Sequence, residues 1–156
     1  MIEIVDKNGT VTTPNQTAVE LYEQLTTIKN SKTTYEKLIS ATERLKQAIT
    51  DYNNVHLDSV RDGVIQRFEF CTELAWKTVR EYLIEQGYAD INSPKSVMKT
   101  AFSDGLLTNE NGWLEILESR NITSHVYDEK TAETIFESIK DVYTPLFSEL
   151  IETLKK

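Results

Sequence analysis

Along most of the chain apolar residues recur every three or four positions, the spacing of one buried helical face. The first 14 residues depart from it. Ile2 and Ile4 alternate with polar neighbours, and Asp6-Lys7-Asn8-Gly9 leads into Thr10-Val11-Thr12-Thr13 and then Pro14. This pattern predicts a small β-hairpin turning at Asn8-Gly9. A lone hairpin is marginal in water, so it must dock on the helical body or on another chain. Val19, Leu21, Tyr22 and Leu25 then predict a short helix over residues 17–29, broken at Asn30-Ser31-Lys32. Tyr35, Leu38, Ile39, Leu45 and Ile49 predict a second helix over 33–53, with Thr42 interrupting its stripe.

The third helix is expected to be the longest and the most apolar. It starts at Asp58 or Ser59, either of which is a suitable cap, and stops at Gly87. Val64, Phe68, Cys71, Ala75, Val79 and Leu83 form one stripe, which Ile65, Phe70, Leu74 and Trp76 widen beyond a single face. A helix apolar over so wide an arc belongs at the centre of a bundle. Glu69, Glu73 and Lys77 follow one another at one-turn intervals. They are either a solvated row of ion pairs or, for Glu69 and Lys77, part of a binding cleft.

Ser93-Pro94 is a helix start, a capping serine before a proline at the first helical position. Val97, Met98, Ala101 and Phe102 follow, and Gly105 ends the element. A loop is expected over Asn109-Glu110-Asn111-Gly112. Another helix then opens with Trp113, Ile116 and Leu117 at core spacing. Beyond Asp128 the apolar positions are Ile135, Ile139, Val142, Leu146, Leu150 and Leu154, and Pro145 should kink or divide that last helix. The expected architecture is an all-α antiparallel bundle over 31–156, with residues 1–30 as a hairpin-and-helix appendage.

Composition narrows the chemistry. At 156 residues, 27% charged and 39% apolar, the chain can bury a proper core in one soluble domain. No run is long enough to span a membrane, and the first residues do not resemble a signal peptide. The single cysteine, Cys71, excludes an internal disulfide and fits a reducing cytoplasm. With only His56 and His125 beside it, the usual Cys/His zinc site cannot be built; neither a metal nor a cofactor is expected. The net charge of -8 argues against broad nucleic-acid binding through a basic surface. Arg61, Arg67, Lys77 and Arg80 are interleaved with acids and form no basic patch.

One stretch concentrates groups that hold or move protons: Arg120, Asn121, Thr123, Ser124, His125 and Tyr127. A permanent cation beside an imidazole that titrates near neutrality can neutralise a phosphate and shuttle a proton. Metal-free RNA cleavage needs that pair, because the substrate's own 2′-hydroxyl is the nucleophile. His125 would act as base or acid and Arg120 as clamp, with Asn121 or Ser124 orienting either. On a regular helix, however, five residues turn through about 140°, so the two would share a face only after unwinding or across a two-fold axis. The alternative is structural: His125 complements a helix end, and Arg120 pairs with Glu115 or Glu118. Tyr127 is an interface or core aromatic, or a site of modification. His56 reads as a loop residue and Cys71 as core.

Arg120-x4-His125-x-Tyr127 resembles the R-x4-H-x-Y motif of the HEPN superfamily. Three ordered segments, Ile65 to Lys77, Ser93-Pro94 through Gly105-Leu106, and Trp113 to Asp128, are similar to its nucleotidyltransferase substrate-binding branch. The resemblance covers about residues 34–155. It implies a dimerising helical bundle encoded beside a minimal nucleotidyltransferase. In related pairs it implies a toxin that cleaves RNA without metal through Arg120 and His125, silenced by transfer of AMP to Tyr127. The older assignment for this branch is a non-catalytic nucleotide- or substrate-binding subunit.

Overall fold

The computed structural model describes residues 4–5, 11–12, 33–123 and 128–155. Two compact units divide between Thr33 and Thr34. In the first, strands β1 (Ile4–Val5) and β2 (Val11–Thr12) pair antiparallel, Ile4 opposite Thr12 and Val5 opposite Val11. The turn expected at Asn8-Gly9 and the helix expected over 17–29 lie outside the described residues.

The second unit is helical. Its elements are α1 (Thr34–Asn54), α2 (Asp58–Glu85), α3 (Pro94–Asp104), α4 (Glu110–Thr123), α5 (Glu129–Ser138) and α6 (Thr144–Leu154), with a π-helical turn at Ile139–Tyr143 joining the last two. Cross-links fix the directions. The Thr34 hydroxyl donates to Glu81 at 2.6 Å and the Arg67 guanidinium to the Arg44 carbonyl at 2.7 Å, so α1 and α2 run antiparallel. Tyr52, near the end of α1, meets Glu133 of α5, while the Tyr35 hydroxyl donates to the Ile151 carbonyl at 2.8 Å, so α5–α6 also runs against α1. Ser119 and Tyr143 share a 2.7 Å hydrogen bond, and Thr108 donates to Glu149 at 3.3 Å, which sets α4 against the same pair.

α2 is the core element. Its six-residue stripe from Val64 to Leu83 is fully buried, and Phe68 stacks on Tyr143 with centroids 5.3 Å apart. Phe147 packs against both Phe68 and Trp113, carrying the aromatic cluster from α2 through α6 to α4. Threonines inside this core return their hydroxyls to the backbone, Thr72 to Phe68 at 3.0 Å and Thr78 to Leu74 at 2.6 Å. Thr42 does not interrupt the α1 stripe: it is buried against the Cys71 thiol, which burial pushes up to about 12.

Several element details differ from expectation, each for a local reason. Neither Asp58 nor Ser59 caps α2; Leu57 occupies the cap position without a side-chain bond, and Asp58 turns to Arg61 instead. Phe70 is 59% exposed, because two residues beyond Phe68 a helix has turned about 200° away from the core. Of the loop expected over 109–112 only Asn109 is non-helical: its side chain accepts the Gly112 N–H at 2.9 Å, and Glu110, Asn111 and Gly112 already belong to α4. Val142 points outward and Tyr143 inward, because the wider π turn carries the Thr144 N–H back to the Ile139 carbonyl. That turn lies directly ahead of Pro145, where the ring would press on the carbonyl four residues earlier.

The helix stops follow the sequence closely. At Gly87, φ is +99°, and the N–H groups of Gly87 and Tyr88 close on the carbonyls of Ile84 and Leu83. Ser93 and Ser96 form a reciprocal capping box at the start of α3, and Gly105 ends it.

Gly112 and Gly63 make opposite predictions. A Cβ on Gly112 would lie 2.7 Å from both Asn109 Nδ2 and Leu146 Cδ1, whereas Gly63 has nothing within 4 Å. Gly112→Ala should lower unfolding free energy by about 1–2 kcal/mol, through the disturbed cap and the crowded α6 contact. Gly63→Ala should raise it by up to about 1 kcal/mol through helix propensity. Urea titration of both variants, with unchanged slope, checks the pair.

Candidate functional site

The proton-handling stretch begins on the last turn of α4. Trp113 and Ile116 anchor that helix in the core, which places Arg120 half-buried and Asn121 exposed at its end. The Thr123 hydroxyl donates to the Arg120 carbonyl at 2.7 Å, closing the final turn. Asp128 resumes the chain as the cap of α5, accepting from the Lys130 and Thr131 N–H groups. The Thr131 hydroxyl and backbone hydrogen bonds hold the Asp128 carboxyl below its ordinary range. Ser124, His125 and Tyr127 lie outside the described residues, between these two fixed ends.

Two hollows border the described ends of the stretch, one of mixed charge, with Lys95 and Arg120 beside Glu73 and Glu118, and one acidic. One, of about 580 Å³, lies between α2, the start of α3 and the end of α4. Arg120 and Asn121 line it together with Trp76, Pro94, Lys95 and Leu117. Among the described residues no carboxylate lies within ion-pair distance of Arg120, so the pairing with Glu115 or Glu118 is not formed. Its Nε is buried with no hydrogen-bond partner. The second hollow, of about 420 Å³, is acidic: Asp58, Asp62, Glu69, Asp128 and Glu129 line it. Thr123 also lines it, so Glu69 shares a hollow with both ends of the stretch but not with Arg120. Lys77 stands apart, paired with Glu73 at 3.9 Å and lining a third hollow with Arg80 and Asn92.

Behind the acidic hollow is a network that the interleaved-charge reading of Arg61 misses. Arg61 is 5% exposed, not a solvated charge, and contacts four carboxylates: Glu133 at 3.3 Å, Asp58 at 3.6 Å, and Asp62 and Glu129 at 3.9 Å. The buried Tyr52 hydroxyl donates to Glu133, and the His56 ring stacks on Tyr52 with its Nε2 3.2 Å from that hydroxyl. Tyr52's hydrogen bond, then Arg61's, holds the Glu133 carboxyl below its ordinary range; the same Tyr52–Glu133 bond and burial push the phenol up. The available signal was phase: Arg61 falls three and four residues before Val64 and Ile65, on the apolar face. Among the described residues no group of three His, Cys, Asp or Glu side chains is placed to hold a metal ion, and no helix is long and apolar enough to cross a membrane.

Because the Glu133 carboxyl is depressed in the folded chain, its contribution is present above the unfolded carboxyl value. It is lost as pH falls through the lower folded value. Glu133→Gln should therefore reduce stability at pH 7, on the order of 1 kcal/mol since Glu133 is partly exposed. It should also flatten the acid side of a melting-temperature profile. An unchanged acid limb would show that the network is not coupled to folding.

The family model described as nucleotidyltransferase substrate binding protein like matches residues 33–156. A Haemophilus influenzae protein named probable ribonuclease HepT is 33% identical over 88 residues, which are 54% of this chain and 60% of that protein. A crystal structure of a Thermus thermophilus protein superposes with a TM-score of 0.67 at 30% identity, covering 76% of this chain and 99% of the other. A Haemophilus influenzae structure, described as revealing the fold of a substrate binding domain of a nucleotidyltransferase, gives 0.69 at 28% identity, covering 78% and 99%.

Proposed function

The chain belongs to the nucleotidyltransferase substrate binding protein like family, and on that footing we propose that it is the ribonuclease subunit of a toxin–antitoxin pair whose other member is a minimal nucleotidyltransferase. The observation that carries this reading is Arg120: a half-buried cation, unclaimed by any described carboxylate, on the wall of a hollow and five residues before His125. The relative named as a probable ribonuclease supports it, although this chain spans only 60% of that protein.

The chemistry is metal-independent transesterification at a cleft between two copies of the chain. His125 removes the 2′-hydroxyl proton, the 2′-oxygen attacks phosphorus, and the bond to the 5′-oxygen breaks. The leaving oxygen takes a proton from His125 of the partner subunit, and the products are a 2′,3′-cyclic phosphate and a 5′-hydroxyl end. Arg120 neutralises the phosphorane, and Asn121 orients the imidazole. The nucleotidyltransferase switches this off when the Tyr127 hydroxyl attacks the α-phosphorus of ATP and pyrophosphate leaves. The anion installed two residues from His125 then repels the RNA phosphate.

A second reading is a non-catalytic subunit that binds nucleotide or substrate for the nucleotidyltransferase. The Haemophilus structure's description as a substrate binding domain and the net charge of -8 favour it.

The purified chain should cleave single-stranded RNA in excess chelator, leaving cyclic-phosphate ends. His125→Ala should lower the rate by about 10²–10⁴ and Arg120→Ala by about 10²–10³, with helix content retained. Incubation with the neighbouring nucleotidyltransferase, ATP and Mg²⁺ should add one adenylate by intact mass, lost in Tyr127→Phe. A parent chain that leaves RNA intact, or a His125→Ala variant that cleaves as well as the parent, sinks the ribonuclease reading in favour of the second.

A further inference from the structure

We infer that the hollow beside Arg120 is a base-binding subsite, in which a nucleobase next to the scissile phosphate stacks on Trp76. The inference rests on the ribonuclease reading for the identity of the polymer, and on the hollow for everything else. Trp76 lines this hollow and also the smaller one that holds Lys77. Lys77 Nζ lies over the ring, 6.0 Å from its centroid, and lines the smaller hollow but not the larger one. The indole N–H donates to Glu73 at 3.3 Å, which fixes the ring's tilt. A half-buried aromatic ring tethered in this way is a low-entropy stacking platform. Pro94, Leu114 and Leu117 supply the remaining apolar wall, and the volume of about 580 Å³ is that of a small-ligand site.

Charge decides which way the polymer runs. Glu73 is already engaged by Lys77 and the Trp76 indole, which leaves Lys95 and Arg120 facing Glu118 in this hollow. The second hollow is lined by five carboxylates, Asp58, Asp62, Glu69, Asp128 and Glu129, against one cation, Arg61, which is 5% exposed and paired with three of them. That net negative lining disfavours a phosphate chain, so a strand whose phosphate rests on Arg120 continues over Trp76. Stacking reads no sequence, because every base has a π-face. The subsite therefore contributes affinity and register along the strand, and lets an acidic protein hold RNA through an aromatic ring.

The chain has two tryptophans, and the other, Trp113, is 3% exposed and out of reach of a bound base, so quenching by base contact reports on Trp76. An uncleavable 2′-deoxy oligonucleotide titrated into the whole chain should quench that fluorescence in step with the anisotropy of a labelled strand. Trp76→Ala should weaken binding roughly 10- to 100-fold. Trp76→Phe, which keeps an aromatic ring in the core-facing helix, should retain most of the affinity and lose the quenching. Lys95→Ala should lower the salt dependence by about one phosphate contact. Binding without quenching, with Trp76→Ala matching the parent, overturns the subsite. Quenching that follows protein concentration instead of oligonucleotide overturns it in favour of a second copy of the chain. Quenching by the deoxy strand, with RNA of the same sequence left intact, sinks the ribonuclease and keeps the subsite, whereas RNA cleavage unaffected by Trp76→Ala does the reverse.

Discussion

The bundle is organised by one requirement, that α2 be covered on most of its circumference. Its buried residues include Val64 and Ile65, Cys71 and Thr72, and Thr78 and Val79, so neighbouring positions as well as turn-spaced ones leave water. A single partner helix covers only one stripe. α1, α3, α4 and α5 therefore pack around α2, and α6 completes the aromatic cluster through Phe147. Covering α2 in this order brings the end of α4 and the start of α5 to its surface as separate anchors. Thr123 is buried at one and Asp128 caps the other. A site that must hold a cation and an imidazole over one phosphate needs such support.

The same packing separates charge. Arg61 enters the core in phase with Val64, and a buried guanidinium is tolerable only where carboxylates surround it. Meeting that need gathers Asp58, Asp62, Glu129 and Glu133 at one end of the bundle. The acidity of one hollow therefore follows from folding. On the proposed ribonuclease reading its effect is indirect: with phosphates disfavoured in that hollow, the approach to Arg120 is narrowed to the side of Trp76 and Lys95. A net charge of -8 is compatible with an anionic substrate when the negative groups are spatially confined in this way.

Most of the bundle was legible because its signals are local. The α2 stripe, the Ser93-Pro94 start and the Gly87 and Gly105 stops each depend on a few adjacent residues. What was not legible depends on contacts between elements. Thr42 looks like a defect in its stripe until Cys71 is placed against it. Arg61 looks solvated until Glu133, 72 residues away, is seen beside it. The outward turn of Val142 depends on a π turn that no sequence spacing announces. The separation of Glu69, Arg120 and Lys77 into three hollows likewise follows from the azimuth of each residue on its helix. Motif spacing carries none of that information.

The carboxylates nearest in sequence, Glu118 and Glu115, lie two and five residues before Arg120, about 160° and 140° around the helix from it. Neither is within ion-pair distance. Its Nε is buried and unbonded, and such a group costs about 1–3 kcal/mol unless something else satisfies it. The cost is offset when an anion arrives, because the same guanidinium then gains charge-assisted hydrogen bonds in a partly dehydrated hollow. On the proposed ribonuclease reading, the unmet donor on the last turn of α4 is the unliganded half of a binding interaction.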